Sequence, residues 1–221
     1  MYAMDKKIEV VLWDIGNVLL KTIHENLLEL IFEKRKIEIL RENYNNAISS
    51  ILNESFYGRI LLDETWTKLL DVVQIKNDDE IKEIKNSIAV NRNEELLTFI
   101  KSLAEKGYKI GIVSDLSQIG FNTVNNYYRD FLDLCKQDMI FLSIHYNLTK
   151  VKEGPQWFKE VTEKLKVDSD KILFIDDDKK IIEVAKELGI NAIHYSKDKF
   201  TDDWSSSNKD LFKQLKLYDI G

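Results

Sequence analysis

Asp14, Ser114, Lys152 and the three consecutive acids Asp176, Asp177 and Asp178 are the residues whose types and placement could do chemistry here. Their order along the chain is carboxylate, hydroxyl, ammonium, carboxylates. Three adjacent acids after an apolar run repel one another, and a hard divalent cation offsets that repulsion. Mg²⁺ binds through one or two carboxylates together with phosphate oxygens and keeps several waters. Lys152 would face a phosphoryl group with a positive charge, and Ser114 would offer it a hydrogen bond. Asp14 could then act as a nucleophile and form an aspartyl phosphate. Taken singly, each has a plain structural reading: an N-cap, a turn residue, a surface lysine. Their order and their common position at strand ends make the combination specific.

The elements that must position these residues can be read from the hydrophobic pattern. Residues 8–13 form an apolar run that ends at Asp14 and is followed by a turn with Gly16. Apolar runs bounded by turn signals read as buried strands. Glycine lets a backbone approach a ligand closely. Further strands are predicted over 109–114, 139–143, 171–175 and 191–195. Helical periodicity covers 94–106, 119–128, 155–165, 179–188 and 209–217. Pro155 suits a first helical turn, where its missing N–H is not needed. Gly107 and Gly189 fall where C′ glycines end helices. Between 22 and 90 the pattern is helical only, with segments at 26–32, 37–52, 64–73 and 78–88 and a break near Phe56, Tyr57, Gly58 and Arg59. The pattern is weakest over residues 121–138.

Strands alternating with helices argue for an α/β fold, a doubly wound (Rossmann-like) parallel sheet of about five strands. Ligands in such sheets bind outside the carboxyl ends of the strands. Residues 22–90 read as an inserted four-helix cap domain, and residues 1–21 and 91–221 as the core domain.

Composition narrows the function classes. The chain has 221 residues, 44% of them hydrophobic and 32% charged, with net charge −6 and pI near 5.3. That balance, with lysines scattered among acids, argues against a nucleic-acid partner, which would want a basic patch. The single cysteine, Cys135, excludes an internal disulfide framework and suits a reducing compartment. No apolar segment approaches the ~18 residues of a membrane span, and residues 1–7 are too polar for a signal peptide. A cytoplasmic protein that binds neither membrane nor nucleic acid is expected. The pattern gives no indication of oligomeric state. His24, His145 and His194 share no metal-ligand spacing and read as structural or surface residues. Trp66 and Trp157 read as core, and Trp13 as core or as a pocket wall.

On these residues the sequence resembles the haloacid dehalogenase-like superfamily over nearly its whole length. The first motif is Trp13, Asp14, Ile15, Gly16, Asn17, Val18, and the second is Ile112, Val113, Ser114. The third is Lys152 with Pro155 and Phe158. The fourth is Phe174, Ile175, Asp176, Asp177, with Ala185 and Gly189 behind it. The Asp-x-Gly-Asn form of the first motif is similar to a subgroup of bacterial sugar-phosphate phosphatases. Residues 56–60 with Asp63 and Glu64 are similar to a turn in the small helical cap of that family, and with residues 21–28 they would line its substrate side. The resemblance implies a Mg²⁺-dependent phosphatase acting on a small phosphorylated metabolite. Asp14 would be nucleophile and metal ligand. The Gly16 carbonyl and Asp177, with Asp176 as alternative, would complete the metal site. Ser114, Asp115, Asn17 and Lys152 would surround the phosphoryl group.

Several positions depart from that family pattern. Gly16 stands where most of these phosphatases carry an aspartate that protonates the leaving oxygen, a contribution typically worth ~10²–10⁴-fold. Asp115 replaces a usual asparagine, and Ile181 a frequent second acid. Lys152, Glu153, Gly154 and Pro155 replace an adjacent lysine and proline. Two other readings therefore stand beside the phosphatase. One is a catalytically degenerate binding protein. The other is a metal-independent 2-haloacid dehalogenase, which the acids at 176–178 disfavour because they would repel a substrate carboxylate.

Overall fold

The computed structural model describes residues 8–21, 27, 41–86, 91–196 and 203–221. The predicted 26–32 helix (apart from Leu27), the first residues of the one over 37–52, the end of the one over 78–88, and His24 lie outside the described residues.

Five parallel strands form one sheet in the order β3-β2-β1-β4-β5. They are β1 (Val10–Trp13), β2 (Lys109–Ser114), β3 (Ile140–Leu142), β4 (Ile172–Asp176) and β5 (Asn191–His194). The chain builds β1, β2 and β3 outward in one direction, then returns to place β4 on the other side of β1. The topological switch point therefore lies between β1 and β4, where open α/β sheets bind ligands. Trp13 pairs with Ile175 of β4, and the Asp14 N–H donates to the Ile175 carbonyl at 2.9 Å. Asp14 and Asp176 thus emerge side by side at that point.

Alternation along the strands feeds two cores. Val11, Trp13, Ile110, Ile112, Leu173 and Ile175 pack on one face with α4 (Glu94–Glu105) and α10 (Ser205–Leu215). Val10, Leu12, Val113, Phe141, Phe174 and Ala192 pack on the other with α8 (Lys150–Leu165) and α9 (Lys179–Glu187). Apart from polar residues at strand ends, the strands are built of apolar residues and Gly111, as a parallel sheet buried on both faces requires. At Gly111 a Cβ would come within 2.7 Å of the Met139 carbonyl oxygen, so glycine is needed there for β2 and the approach to β3 to fit. Trp13, Trp66 and Trp157 all lie in the cores, and Trp13 does not line the site cavity.

Among the described residues between β1 and α4 there are only helices: α1 (Arg41–Phe56), α2 (Leu62–Val72) and α3 (Asp78–Asn86). Pairing of Leu20 with Arg92, and of the Lys21 N–H with the Asn91 carbonyl, brings the two ends of this segment together at the sheet.

Two helices begin earlier than the sequence suggests. The helix expected from Pro155 starts at Lys150, capped by the Thr149 hydroxyl, which accepts the Lys152 N–H at 3.3 Å. Pro155 sits inside it, and Glu153 takes the non-helical backbone angles that admit the proline (φ −113°, ψ 29°). The last helix starts at Ser205 rather than Lys209. Asp203 accepts the Ser205 N–H, and the Ser207 hydroxyl donates to the Ser196 carbonyl, so the serines form its first turn. Residues 121–138 resolve into the rest of α5 (Gln118–Tyr127), the short α6 (Arg129–Leu132) and a 3₁₀ turn. Periodicity is weak there because α6 is a single turn.

Candidate active site

A cavity of about 480 Å³ opens at the switch point, lined by the ends of β1 and β4 and the starts of α8 and α9. Asp14, Gly16, Asn17, Asp115, Lys150 and the acids at 176–178 all face it. Asp14 leaves β1 as the strand ends, and Asp176 is the last residue of β4. Asp178 caps α9 by accepting the Lys180 N–H at 2.8 Å, and this turns Asp177 back toward β1. The Asn17 side-chain amide donates to Asp177 Oδ2 at 3.1 Å, joining the loop after β1 to the turn after β4. Asn17 has a left-handed backbone (φ 54°), a conformation asparagine tolerates better than most residues.

The lysine of the site is Lys150, not Lys152. Lys150 Nζ donates to Asp14 Oδ1 at 2.7 Å and to Asp176 Oδ2 at 2.6 Å, and the residue is only 5% exposed. Its backbone N–H is held by both oxygens of Asp115 at 3.0 Å. Lys152 lies half a turn further on, where the helix faces away from the cavity. Its ammonium reaches Asn53 of α1 at 3.3 Å. Placing the start of α8 at Pro155 hid this. Thr149 was the available signal, because a threonine that caps a helix at 149 puts Lys150 in the first turn.

Ser114 is buried at the end of β2, and the residue that lines the cavity there is its neighbour Asp115. His194, read from sequence as structural or surface, touches the site indirectly: its Nε2 lies 3.0 Å from the Asp177 carbonyl oxygen. His145 lies in a separate cavity with Phe121 and Tyr146.

Asp14, Asp176 and Asp177 each place a carboxylate oxygen within 4.8 Å of the others, the arrangement a cation-binding cluster needs. The charge balance points the same way. Burial pushes the Asp14 carboxyl up to about 7; Lys150 opposes this, and Asp176 and Asp177 add to it. Burial works against the Lys150 charge, yet Asp14, Asp176 and Asp115 outweigh it and raise the lysine above its ordinary range. Lys150 is therefore a fixed cation, and the surrounding carboxylates exceed what it can neutralise. Oxygen donors carrying excess negative charge at the rim of a cavity suit a hard divalent ion.

Comparison with known proteins places this geometry in a family. The sequence model of the haloacid dehalogenase-like hydrolases matches residues 11–195. No curated protein matches the chain by sequence. Among solved structures, a HAD family enzyme from Bacteroides thetaiotaomicron is similar with TM-score 0.73 and 23% identity, covering 90% of this chain and 98% of that one. The same enzyme, as an aspartate-to-alanine variant in complex with magnesium and inorganic phosphate, aligns at 25% identity and TM-score 0.70 over 90% of this chain and 98% of that one. A predicted HAD-like hydrolase from Porphyromonas gingivalis shares 17% identity at TM-score 0.66, covering 93% and 98%. A dehalogenase shares the fold at 12% identity and TM-score 0.59, covering 90% of each chain.

Proposed function

We propose that this chain, which belongs to the haloacid dehalogenase-like hydrolase family, is a Mg²⁺-dependent phosphatase of a small phosphorylated metabolite, such as a sugar phosphate. The observation that carries this reading is the three-carboxylate cluster of Asp14, Asp176 and Asp177, only part of whose charge Lys150 offsets. A related enzyme crystallised with magnesium and phosphate supports it.

Asp14, Asp176 and Asp177 would hold the ion, together with the Gly16 carbonyl implied by the family resemblance. Bound there, Mg²⁺ would supply positive charge that offsets the repulsion between the nucleophile and the phosphate. Asp14 attacks phosphorus through a carboxylate oxygen; the new O–P bond forms as the bond to the leaving oxygen breaks. Lys150 holds Asp14 in place and sets positive charge beside the developing anion. The leaving oxygen takes its proton from water, because Gly16 offers no side chain to supply one. Water then attacks the aspartyl phosphate, and phosphate leaves with Asp14 restored. Asn17 keeps Asp177 aligned with the loop that carries Asp14, and Asp115 fixes the backbone of Lys150. Helices α1, α2 and α3 would belong to the cap that the family resemblance implies.

The test is an assay of two products with and without Mg²⁺: phosphate from aryl and sugar phosphates, and halide from a 2-haloacid. Mg²⁺-dependent phosphate release supports the proposal. Halide release that ignores Mg²⁺ would replace it with a dehalogenase. Release of neither product would leave a binding protein.

A further inference from the structure

The turn between α1 and α2 has no part in the chemistry above, yet it is built closely onto the start of α8. Tyr57 is 5% exposed, and its hydroxyl donates to both oxygens of Glu153, at 2.9 and 3.0 Å. Glu153 in turn accepts the backbone N–H of Thr149 at 2.9 Å and its hydroxyl at 3.1 Å. Thr149 is the cap residue immediately before Lys150. Glu153 is also the one residue of α8 with non-helical backbone angles. The carboxylate that receives Tyr57 therefore occupies the kink that sets how Thr149 and Lys150 are presented.

The seating of the turn is specific. Gly58 has φ +67°, and a Cβ there would lie 2.3 Å from the Ile144 carbonyl oxygen of α7 (Ser143–Tyr146), so only glycine lets the turn approach that closely. Arg59 donates to Asn147 Oδ1 at 3.2 Å, and the Ser55 hydroxyl accepts the Gln118 N–H at 2.9 Å. These contacts flank the Tyr57–Glu153 pair on both sides.

We propose that Glu153 is a positioning residue that couples seating of the Tyr57 turn to the placement of Lys150 between Asp14 and Asp176. When the turn is seated, Tyr57 fixes the Glu153 carboxylate, the carboxylate fixes Thr149, and Lys150 enters the site in register. When the turn lifts, Glu153 loses a buried donor and the first turn of α8 is released. The helical segment thereby controls the chemistry without itself contributing a group to it. The proposal rests on the phosphatase reading for its kinetic arm alone.

The experiment is a double-mutant cycle of Tyr57→Phe and Glu153→Gln, read by phosphate-release kinetics and by backbone hydrogen exchange. Tyr57→Phe keeps the ring, so packing is retained. Each single variant lowers kcat by about tenfold with KM little changed, the scale expected for losing one charge-assisted hydrogen bond. The double variant is no worse than Glu153→Gln alone, because Tyr57 acts on Thr149 through the Glu153 carboxylate. Exchange in Tyr57→Phe quickens at 149–152 as well as at 56–60, while β1 and β4 stay protected. Gly58→Ala, which lifts the turn without removing the hydroxyl, reproduces that exchange pattern. Effects that multiply in the double variant, or faster exchange confined to 56–60, would overturn the coupling. If the wild-type protein releases no phosphate, the phosphatase reading fails, and the exchange arm still decides the coupling.

Discussion

The Lys150 ammonium stands 2.7 Å from the Asp14 carboxylate, and both groups are buried at the junction of β1 and β4. The same ammonium reaches Asp176 at 2.6 Å, so one cation joins the two strand ends that define the site. Breaking a buried pair by removing one partner costs far more than losing a surface contact.

The two lysines at the start of α8 should therefore behave differently. Lys150→Met leaves Asp14 and Asp176 facing each other, which destabilises the metal-free protein by about 3–5 kcal/mol. It also slows phosphate release by ~10²–10³-fold, the scale of losing one fixed electrostatic group. Lys152→Met removes an exposed hydrogen bond to Asn53 and the ammonium's place over the Tyr57 ring, and its stability should stay within about 0.5 kcal/mol of wild type. Urea unfolding and phosphate release on both variants check this, and the reverse ranking would remove Lys150 from the site.

Mg²⁺ should stabilise the fold. A ligand at about 100 times its Kd adds about 2.7 kcal/mol, roughly 5–10 °C in Tm for a chain of this size. Asp177→Asn should abolish most of that shift. Its metal-free Tm should equal or exceed that of wild type, because the substitution removes one of three mutually repelling charges. Thermal unfolding with Mg²⁺ and with a chelator measures both effects. A shift that survives in Asp177→Asn would place the ion elsewhere.

Gly16 lines the cavity without a side chain to donate a proton. Rates should therefore depend steeply on the leaving group. Aryl and acyl phosphates should outpace alkyl phosphates by an amount comparable to a missing general acid, ~10²–10⁴-fold. A series of substituted aryl phosphates measures the slope of log kcat/KM against leaving-group pKa, which reports the step in which the leaving group departs. A flat plot would mean that another group supplies the proton, and the partly buried carboxyl of Asp115 would be the first to test.

The sheet was legible because its strands are buried on both faces, so 109–114 and 171–175 stand out as apolar runs whatever surrounds them. Asp14 and the acids at 176–178 were legible for the same reason, since a strand end fixes where the next side chain goes. The lysine was misplaced because its position depends on a helix start. Pro155 is a strong start signal on its own, but here Thr149 caps the helix and Glu153 absorbs the kink. The last helix is legible only from Lys209, because the helical role of the serines at 205–207 depends on Asp203 and on a hydrogen bond to Ser196. Tyr57 and Glu153 could not be paired from sequence, since 96 positions separate them.

The claim at the centre of this account is that Asp14 carries the phosphoryl group, and trapping the intermediate tests it most directly. The protein is mixed with an aryl phosphate and Mg²⁺, quenched in acid during turnover, digested and mapped by mass spectrometry, with Asp14→Asn run alongside. The account predicts one acid-stable, base-labile phosphoryl group on the peptide containing Asp14, absent without Mg²⁺ and absent from a variant that no longer turns over. A phosphoryl group on another peptide, or wild-type phosphate release from Asp14→Asn, would contradict it.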